Sequence, residues 1–229
     1  MAPIRALVLV CALAAAAANA QPARYDGSLS PNDPVRSGGA WYDAYTFEVA
    51  QDQVVTVRME STTFDTYLIV RSPSGTESIS DDFEGTMISQ VEIVAPEQGR
   101  WVAWASSYSA GTDGDYTLSV RPHEAARVQA VEGRLDRQDA RSLKGEYFDT
   151  LYFESRGEGG VLVHLTSLGF DGYLVVTAPD GTVVREHGAN AETMYAGPLP
   201  AARGRWRVDV TSEAEGMVGA YDLRFVEMR

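Results

Sequence analysis

Apolar and polar residues alternate with a period of two along most of the chain, and the alternation recurs in two halves. Trp41, Tyr45, Phe47 and Val49 alternate with Tyr42, Ala44, Thr46 and Glu48, while Val55, Val57 and Met59 alternate with Thr56, Arg58 and Glu60. A period of two puts successive side chains on opposite faces of an extended backbone, so these runs predict strands with one buried face. The pattern continues through Met87, Val91 and Ile93, through Trp101, Ala103 and Ala105, and through Tyr116, Leu118 and Val120. The second half repeats it with Tyr147, Leu151 and Phe153, with Val161, Val163 and Leu165, with Trp206, Val208 and Val210, and with Tyr221, Leu223 and Phe225. Gly, Pro, Asp and Ser turns separate seven or eight short strands per half, and the main helix-compatible stretch is Glu124-Ala125-Ala126-Arg127. The fold class expected is all-β, two tandem antiparallel β-sandwiches of jelly-roll-like form.

The two halves are copies of one another. Phe64-Asp65-Thr66-Tyr67-Leu68 returns 106 residues later as Phe170-Asp171-Gly172-Tyr173-Leu174, preceded by Ser61 and Ser167 respectively. Gly27, Leu29, Asp33, Gly39, Asp43 and Phe47 return at the same offset; Trp101, Gly114, Tyr116 and Leu118 return at an offset of 105, as a one-residue loop deletion requires. Such colinear self-similarity is the signature of a repeat. It divides the chain into a first repeat over residues 25–122, a linker over 123–130 and a second repeat over 131–229. At the Phe-Asp-x-Tyr-Leu corner the aromatic residues fill a core, and the aspartate is expected to accept backbone N–H bonds.

Residues 1–20 read as a secretory signal peptide: one basic residue, Arg5, then an apolar stretch from Ala6 to Ala18 and the small-residue site Ala18-Asn19-Ala20 before Gln21. The run is shorter than the roughly 18 apolar residues a spanning helix needs, so no stable membrane insertion is expected after cleavage. Cys11 is the only cysteine of the chain and would leave with the leader, with Val10 before it too large for lipoprotein processing. Periplasmic or secreted localisation follows, with stability drawn from packed apolar surface instead of disulfides. Without the leader, 18 Lys and Arg face 32 Asp and Glu, a net charge of −14 that repels nucleic acid and anionic lipid.

No nucleophile elbow, HExxH, phosphate loop or dinucleotide fingerprint is present. His123 falls in the linker, His164 on the outward parity of a strand and His187 after a turn, so all three read as surface residues, and no catalytic residue is assigned. Asp43 and Asp149 have inward parity and are expected to be satisfied by backbone donors. Three features of the first repeat point toward binding. Asp81, Asp82 and Glu84 crowd one glycine-bearing loop, an oxygen-rich set suited to calcium, though a solvated acidic turn has the same composition. Trp104 has the opposite parity to Trp101 and, with Tyr108, could form an exposed aromatic platform for sugar or peptide; contact with the other repeat is the alternative. Residues 21–122 carry 6 basic and 15 acidic side chains, against 11 and 15 in 133–229, and the second repeat has Asp209 and Glu213 where the first has Trp104 and Tyr108.

The motifs Gly27-Ser-Leu29, Trp41-Tyr42-Asp43-Ala-Tyr45-Thr-Phe47, Ser61 to Leu68, Pro73-Ser-Gly75, Asp81-Asp82, Ala95-Pro96-Glu-Gln-Gly99-Arg-Trp101 and Gly114-Asp-Tyr116-Thr-Leu118-Ser-Val120 resemble the bacterial pre-peptidase C-terminal domain. The second repeat keeps most of them but has His187-Gly188 in place of Asp81-Asp82. The resemblance implies a jelly-roll-like sandwich, usually beside a secreted peptidase and itself non-catalytic; some members bind protein or carbohydrate and some relatives bind calcium. No peptidase is attached here. The expected function is therefore a non-catalytic exported binding protein for a protein or glycan, with a chaperone-like partner of a separately encoded exported enzyme as the alternative. Exported material should begin at Gln21 and extract without detergent; N-terminal sequencing that finds Met1 retained contradicts this reading.

Overall fold

The computed structural model describes residues 19–83, 85–187 and 193–229, which form strands, turns and loops and no helix. The leader through Ala18, together with Glu84 and Gly188, lies outside the described residues. The first repeat contains β1 (Ala23–Leu29), β2 (Tyr42–Val49), β3 (Val54–Ser61), β4 (Thr66–Arg71), β5 (Glu77–Ser80), β6 (Ser89–Val94), β7 (Gly99–Ser107) and β8 (Gly114–His123). The second contains β9 (Ala125–Leu135), β10 (Ala140–Arg141), β11 (Tyr147–Ser155), β12 (Val161–Leu168), β13 (Gly172–Thr177), β14 (Val183–His187), β15 (Thr193–Leu199), β16 (Gly204–Ser212) and β17 (Gly219–Met228).

The first repeat folds as two antiparallel sheets, β1-β8-β3-β6 and β2-β7-β4-β5; the second repeats the order as β9-β17-β12-β15 and β11-β16-β13-β14, with β10 added at one edge. Val55, Val57, Met59 and Leu118 of one sheet meet Leu68, Val70, Trp101 and Ala103 of the other in the first core. Val163, Leu165, Leu223 and Phe225 meet Leu174, Val176, Trp206 and Val208 in the second. Trp101 stands opposite Phe47 and Trp206 opposite Phe153, so the repeat alignment holds at the level of strand register.

A tyrosine hydroxyl crosses each core. Tyr116 on β8 donates to Asp43 Oδ2 of β2 at 2.5 Å, and Tyr221 on β17 donates to Asp149 Oδ2 of β11 at 2.7 Å. The donors to these aspartates are therefore phenols from the facing sheet, where backbone N–H groups were expected. Gly27 and Gly133 stand opposite the two tyrosines in register, and a Cβ at either would lie 2.4 Å or 2.1 Å from the phenol carbon Cζ. Only glycine leaves room for the ring to pass. Burial, then the Asp43 carboxylate, raises the Tyr116 hydroxyl well above the usual phenol range.

Several elements differ from the expectation. The 123–130 stretch is strand: β8 runs to His123 and β9 begins at Ala125, because its backbone pairs with β17. At the first corner Ser61 Oγ accepts the N–H groups of Thr63 and Phe64 and donates to the Asp115 carbonyl, so the serine does the work assigned to Asp65, whose Oδ1 is buried without a partner among the described residues. Met87 precedes β6 and is 64% exposed, outside the alternation. Ala20 packs into the first core with its N–H on Gln53 Oε1 at 2.8 Å; a chain beginning at Gln21 lacks that contact and leaves the Gln53 side chain on Ala50 N–H.

The largest difference is that β3 and β12 are buried on both faces. The outer side of β3-β6 meets the outer side of β12-β17 through Val54, Val94, Leu162 and Val226, so the sheets stack in four layers with the two repeats joined by their inner sheets. The two tyrosine–aspartate bonds are part-buried, and removing the donor to such a carboxylate costs about 1–3 kcal/mol. Tyr116→Phe and Tyr221→Phe are accordingly each expected to lower stability by about that much in urea unfolding, with no change in strand content by circular dichroism.

Candidate functional site

Trp104 lies on β7 with its parity opposed to the core residues Trp101, Ala103 and Ala105, on the outer face of the β2-β7-β4-β5 sheet. The repeats join through the other sheet and at the β5 edge, where Ser78 meets Thr193, so the face around Trp104 is turned away from the second repeat and interdomain contact does not explain the tryptophan. The indole is half-buried by its own neighbours: Tyr42 on β2 tilts against it at 4.9 Å between centroids, and Arg71 on β4 places its guanidinium 4.3 Å from the ring centre. Arg71 is held in turn by Glu77 of β5. Tyr108, in the loop after β7, is 55% exposed and leans on Tyr67 at 6.4 Å. The other side of this group is Arg36, whose guanidinium sits 4.2 Å over Tyr67. Its Nε donates to Ser106 Oγ at 3.0 Å and its Nη2 to the carbonyls of Ser107 and Tyr108 at 2.8 Å and 3.3 Å. Trp104 and Tyr108 are thus brought onto one surface, with Tyr42, Tyr67, Arg36 and Arg71 between and around them.

Parity found the tryptophan but not the arginines. Arg36 and Ser106 are 70 residues apart, and their meeting depends on the strand order. The available signal was a break in the repeat: Arg36, Arg71, Trp104 and Tyr108 align with Ser142, Thr177, Asp209 and Glu213, whereas the surrounding core positions are kept.

Asp81 and Asp82 follow β5, beside Asp65 at the corner. The Asp65 carboxyl is raised above the usual carboxylate range, first by burial and then by the charges of Asp82 and Asp81. Glu84, the third oxygen donor of the calcium reading, lies outside the described residues, and among the described residues no group of three acidic, histidine or cysteine side chains is arranged to hold a metal ion.

The surface expectation holds for His123, which is exposed, and fails for His164. His164 on β12 is 3% exposed, paired across to Arg224 of β17 and Tyr195 of β15, and its Nδ1 has no hydrogen-bond partner among the described residues. It fails the surface expectation because the outward face of β12 is the interface. Around the same join, Arg224 is buried against Asp222 at 2.8 Å and reaches Asp52 of the first repeat, Tyr195 donates to the Gln90 carbonyl at 3.4 Å, and Ser78 meets Thr193. On the first-repeat side the buried Thr56 hydroxyl lies 2.8 Å from Glu92 Oε2 and 2.6 Å from His123 Nε2. The carboxylate there contacts the hydroxyl, not the imidazole, which differs from the base-and-orienter relay that activates a nucleophile. The side chain of His187 lies outside the described set.

No family model and no curated protein matches the chain. Among solved structures, similarity extends to a protein of Eubacterium rectale inferred to be secreted, at 10% identity over 90% of this chain and 74% of that one, with a TM-score of 0.29. A protein of Sulfolobus turreted icosahedral virus matches at 10% identity, 93% and 94% coverage and a TM-score of 0.25. The major capsid protein P2 of bacteriophage PM2 matches at 10% identity, 90% and 98% coverage and a TM-score of 0.22. Scores of this size carry no argument about ancestry, ligand or activity. Among the described residues no helix is long and apolar enough to cross a membrane.

The buried His164 sets a pH dependence. Burial, with Arg224 nearby, lowers its pKa from the ordinary 6.5 to about 4. Between those values the unfolded chain takes up a proton that the folded chain does not, so stability falls as pH drops through the window, by up to on the order of 3 kcal/mol. His123, also lowered by burial and by Arg121, acts in the same direction. Glu92, raised by burial, acts in the opposite direction: above its unfolded pKa it binds the proton more readily when folded. His164→Leu is expected to flatten the fall in urea midpoint between about pH 7 and about pH 4.5 relative to the parent. A parent and variant with parallel pH profiles contradict this.

Proposed function

We propose that this is a non-catalytic, exported binding protein that engages a protein partner through the outer face of its first repeat. The observation that carries the reading is the set of Tyr42, Trp104 and Arg71 beside Tyr67, Arg36 and Tyr108 on a sheet face turned away from the second repeat. Tyrosine, tryptophan and arginine are the residues that dominate binding energy at protein interfaces, because they bury large rigid area and offer fixed donors. Here they are held in advance by stacking and by the Glu77 and Ser106 contacts, which lowers the ordering cost of association. A glycan is disfavoured because a sugar ring stacking on Trp104 must compete with Arg71 for the indole. Export is supported by the leader sequence, and accessory-module character by the resemblance to pre-peptidase C-terminal domains.

An exported enzyme encoded elsewhere is one chemistry the partner could have, and it would cover the same face. The test is a display of peptide and glycan libraries against the intact protein, with Trp104→Ala and Tyr108→Ala as controls. Peptide ligands are expected to be retained by the parent and weakened about tenfold or more by Trp104→Ala, the range typical of a central aromatic anchor. Retention unchanged in both variants removes this face from the reading. Glycan-only retention replaces the partner class, and turnover of any library member replaces the non-catalytic assignment.

A further inference from the structure

The first repeat holds its own arginine in a groove that the second repeat leaves open, and we infer that the open groove is a receptor for an arginine side chain presented by a partner polypeptide. The argument is a comparison of two copies of one turn. In the first repeat, Arg36 donates its backbone N–H to the Ala40 carbonyl at 2.9 Å and accepts from Gly39 N–H at 3.1 Å; Ser142 makes the same bonds to Glu146 and Gly145 at 2.9 Å and 3.2 Å. The backbone is the same. Only the side chain that leaves it differs.

The docking surface for the arginine is repeated as well. Arg36 lies over Tyr67 and is bound by Ser106 Oγ and the carbonyls of Ser107 and Tyr108. The second repeat has Tyr173, Thr211, Ser212 and Glu213 at the equivalent positions. Ser106 Oγ donates to the Trp41 carbonyl at 2.7 Å, and Thr211 Oγ1 donates to the Tyr147 carbonyl at 2.7 Å, so each hydroxyl is oriented by the same contact and keeps its lone pairs for an incoming donor. Where Arg36 fills the first groove, the second is a cavity of about 590 Å³ bordered by Ser142, Tyr173, Thr211, Ser212 and Glu213.

Charge favours a cationic occupant. Glu213 replaces Tyr108 and Asp209 replaces Trp104, and Glu146 lines the same groove. Arg207 neutralises Asp209 at 2.9 Å, and Lys144 also lies at the border, but the Glu213 carboxylate is exposed and carries no ion pair or hydrogen bond among the described residues. A guanidinium fits better than an ammonium, because the template contact in the first repeat combines stacking on a tyrosine face with donors spread over a hydroxyl and two carbonyls. Leu143, fully exposed at the rim, offers apolar contact to the residues flanking the arginine.

This site lies on the second repeat and does not depend on the Trp104 face. The experiment is amide NMR of the intact two-repeat protein titrated with acetyl-Gly-Arg-Gly-amide and with its lysine and citrulline analogues. Saturable shifts are expected at Tyr173, Thr211, Ser212 and Glu213 with the arginine peptide, and at least about tenfold weaker binding of the neutral citrulline peptide. Ser142→Arg should abolish the shifts, because it recreates the self-filled first groove on an unchanged turn; Glu213→Gln should weaken them. Arg36→Ser should add a second saturable set at Tyr67, Ser106 and Ser107. The inference is overturned by no saturable shift up to about 10 mM arginine peptide, by equal binding of citrulline, or by undiminished binding in a folded Ser142→Arg variant. Trp104→Ala should leave the shifts at Tyr173, Thr211, Ser212 and Glu213 in place, so failure here and failure of the first-repeat face are separately visible.

Discussion

Each sandwich closes around a tyrosine hydroxyl that leaves one sheet and lands on an aspartate of the other. The contact fixes three strands at once. Glycine on β1 or β9 supplies the opening, tyrosine on β8 or β17 passes through it, and aspartate on β2 or β11 receives it. A slip of one residue in any of the three would turn the glycine, the ring or the carboxylate to the wrong face and leave a half-buried acceptor without its donor. The pairing of Phe47 with Trp101, and of Phe153 with Trp206, is in phase with this clip, as is the outward parity of Trp104. The outer aromatic face and the core are therefore set by the same register.

The second constraint is the join between repeats. Two sandwiches with four polar outer faces would have no reason to meet, but the inner sheets carry doubled apolar residues: Val54-Val55, Ile93-Val94, Val161-Leu162-Val163 and Phe225-Val226. One member of each doublet faces a core and the other faces the partner repeat. Those doublets were legible as departures from period two, and they mark β3, β6, β12 and β17 as strands covered on both sides. Parity alone misplaced Thr56 and His164, because it equates outward with solvent. Once the join is known, a buried imidazole beside Arg224 and a buried carboxylate on Thr56 follow as polar groups trapped between layers.

The sequence carried the strand content, the repeat and the outward tryptophan because each rests on local alternation or on self-comparison. It did not carry the arginine contacts, since Arg36 reaches β7 and Arg71 reaches Trp104 through strand neighbours that are distant in the chain. Nor did it separate the roles of Ser61 and Asp65, which sit four residues apart in one corner: Ser61 takes the backbone donors, and Asp65 Oδ1 has no partner among the described residues. The glycine opposite each tyrosine was visible as a repeated residue, but its reason is a steric one that appears only when the ring is in place.

Duplication explains why the two outer faces differ while the interiors agree. A change at Gly27, Asp43 or Tyr116 disturbs three strands, so the second copy retains all three as Gly133, Asp149 and Tyr221. A change at Arg36, Arg71, Trp104 or Tyr108 disturbs only a solvent-facing contact, and all four are different in the second copy. Stability thus holds the clip constant and leaves the outer face open to acquire a separate specificity in each repeat. Because the inner sheets are used for the join, the two outer sheets lie at opposite ends of the four-layer stack. On the two proposals above, a partner seated on the aromatic face of the first repeat would leave the acidic groove of the second uncovered.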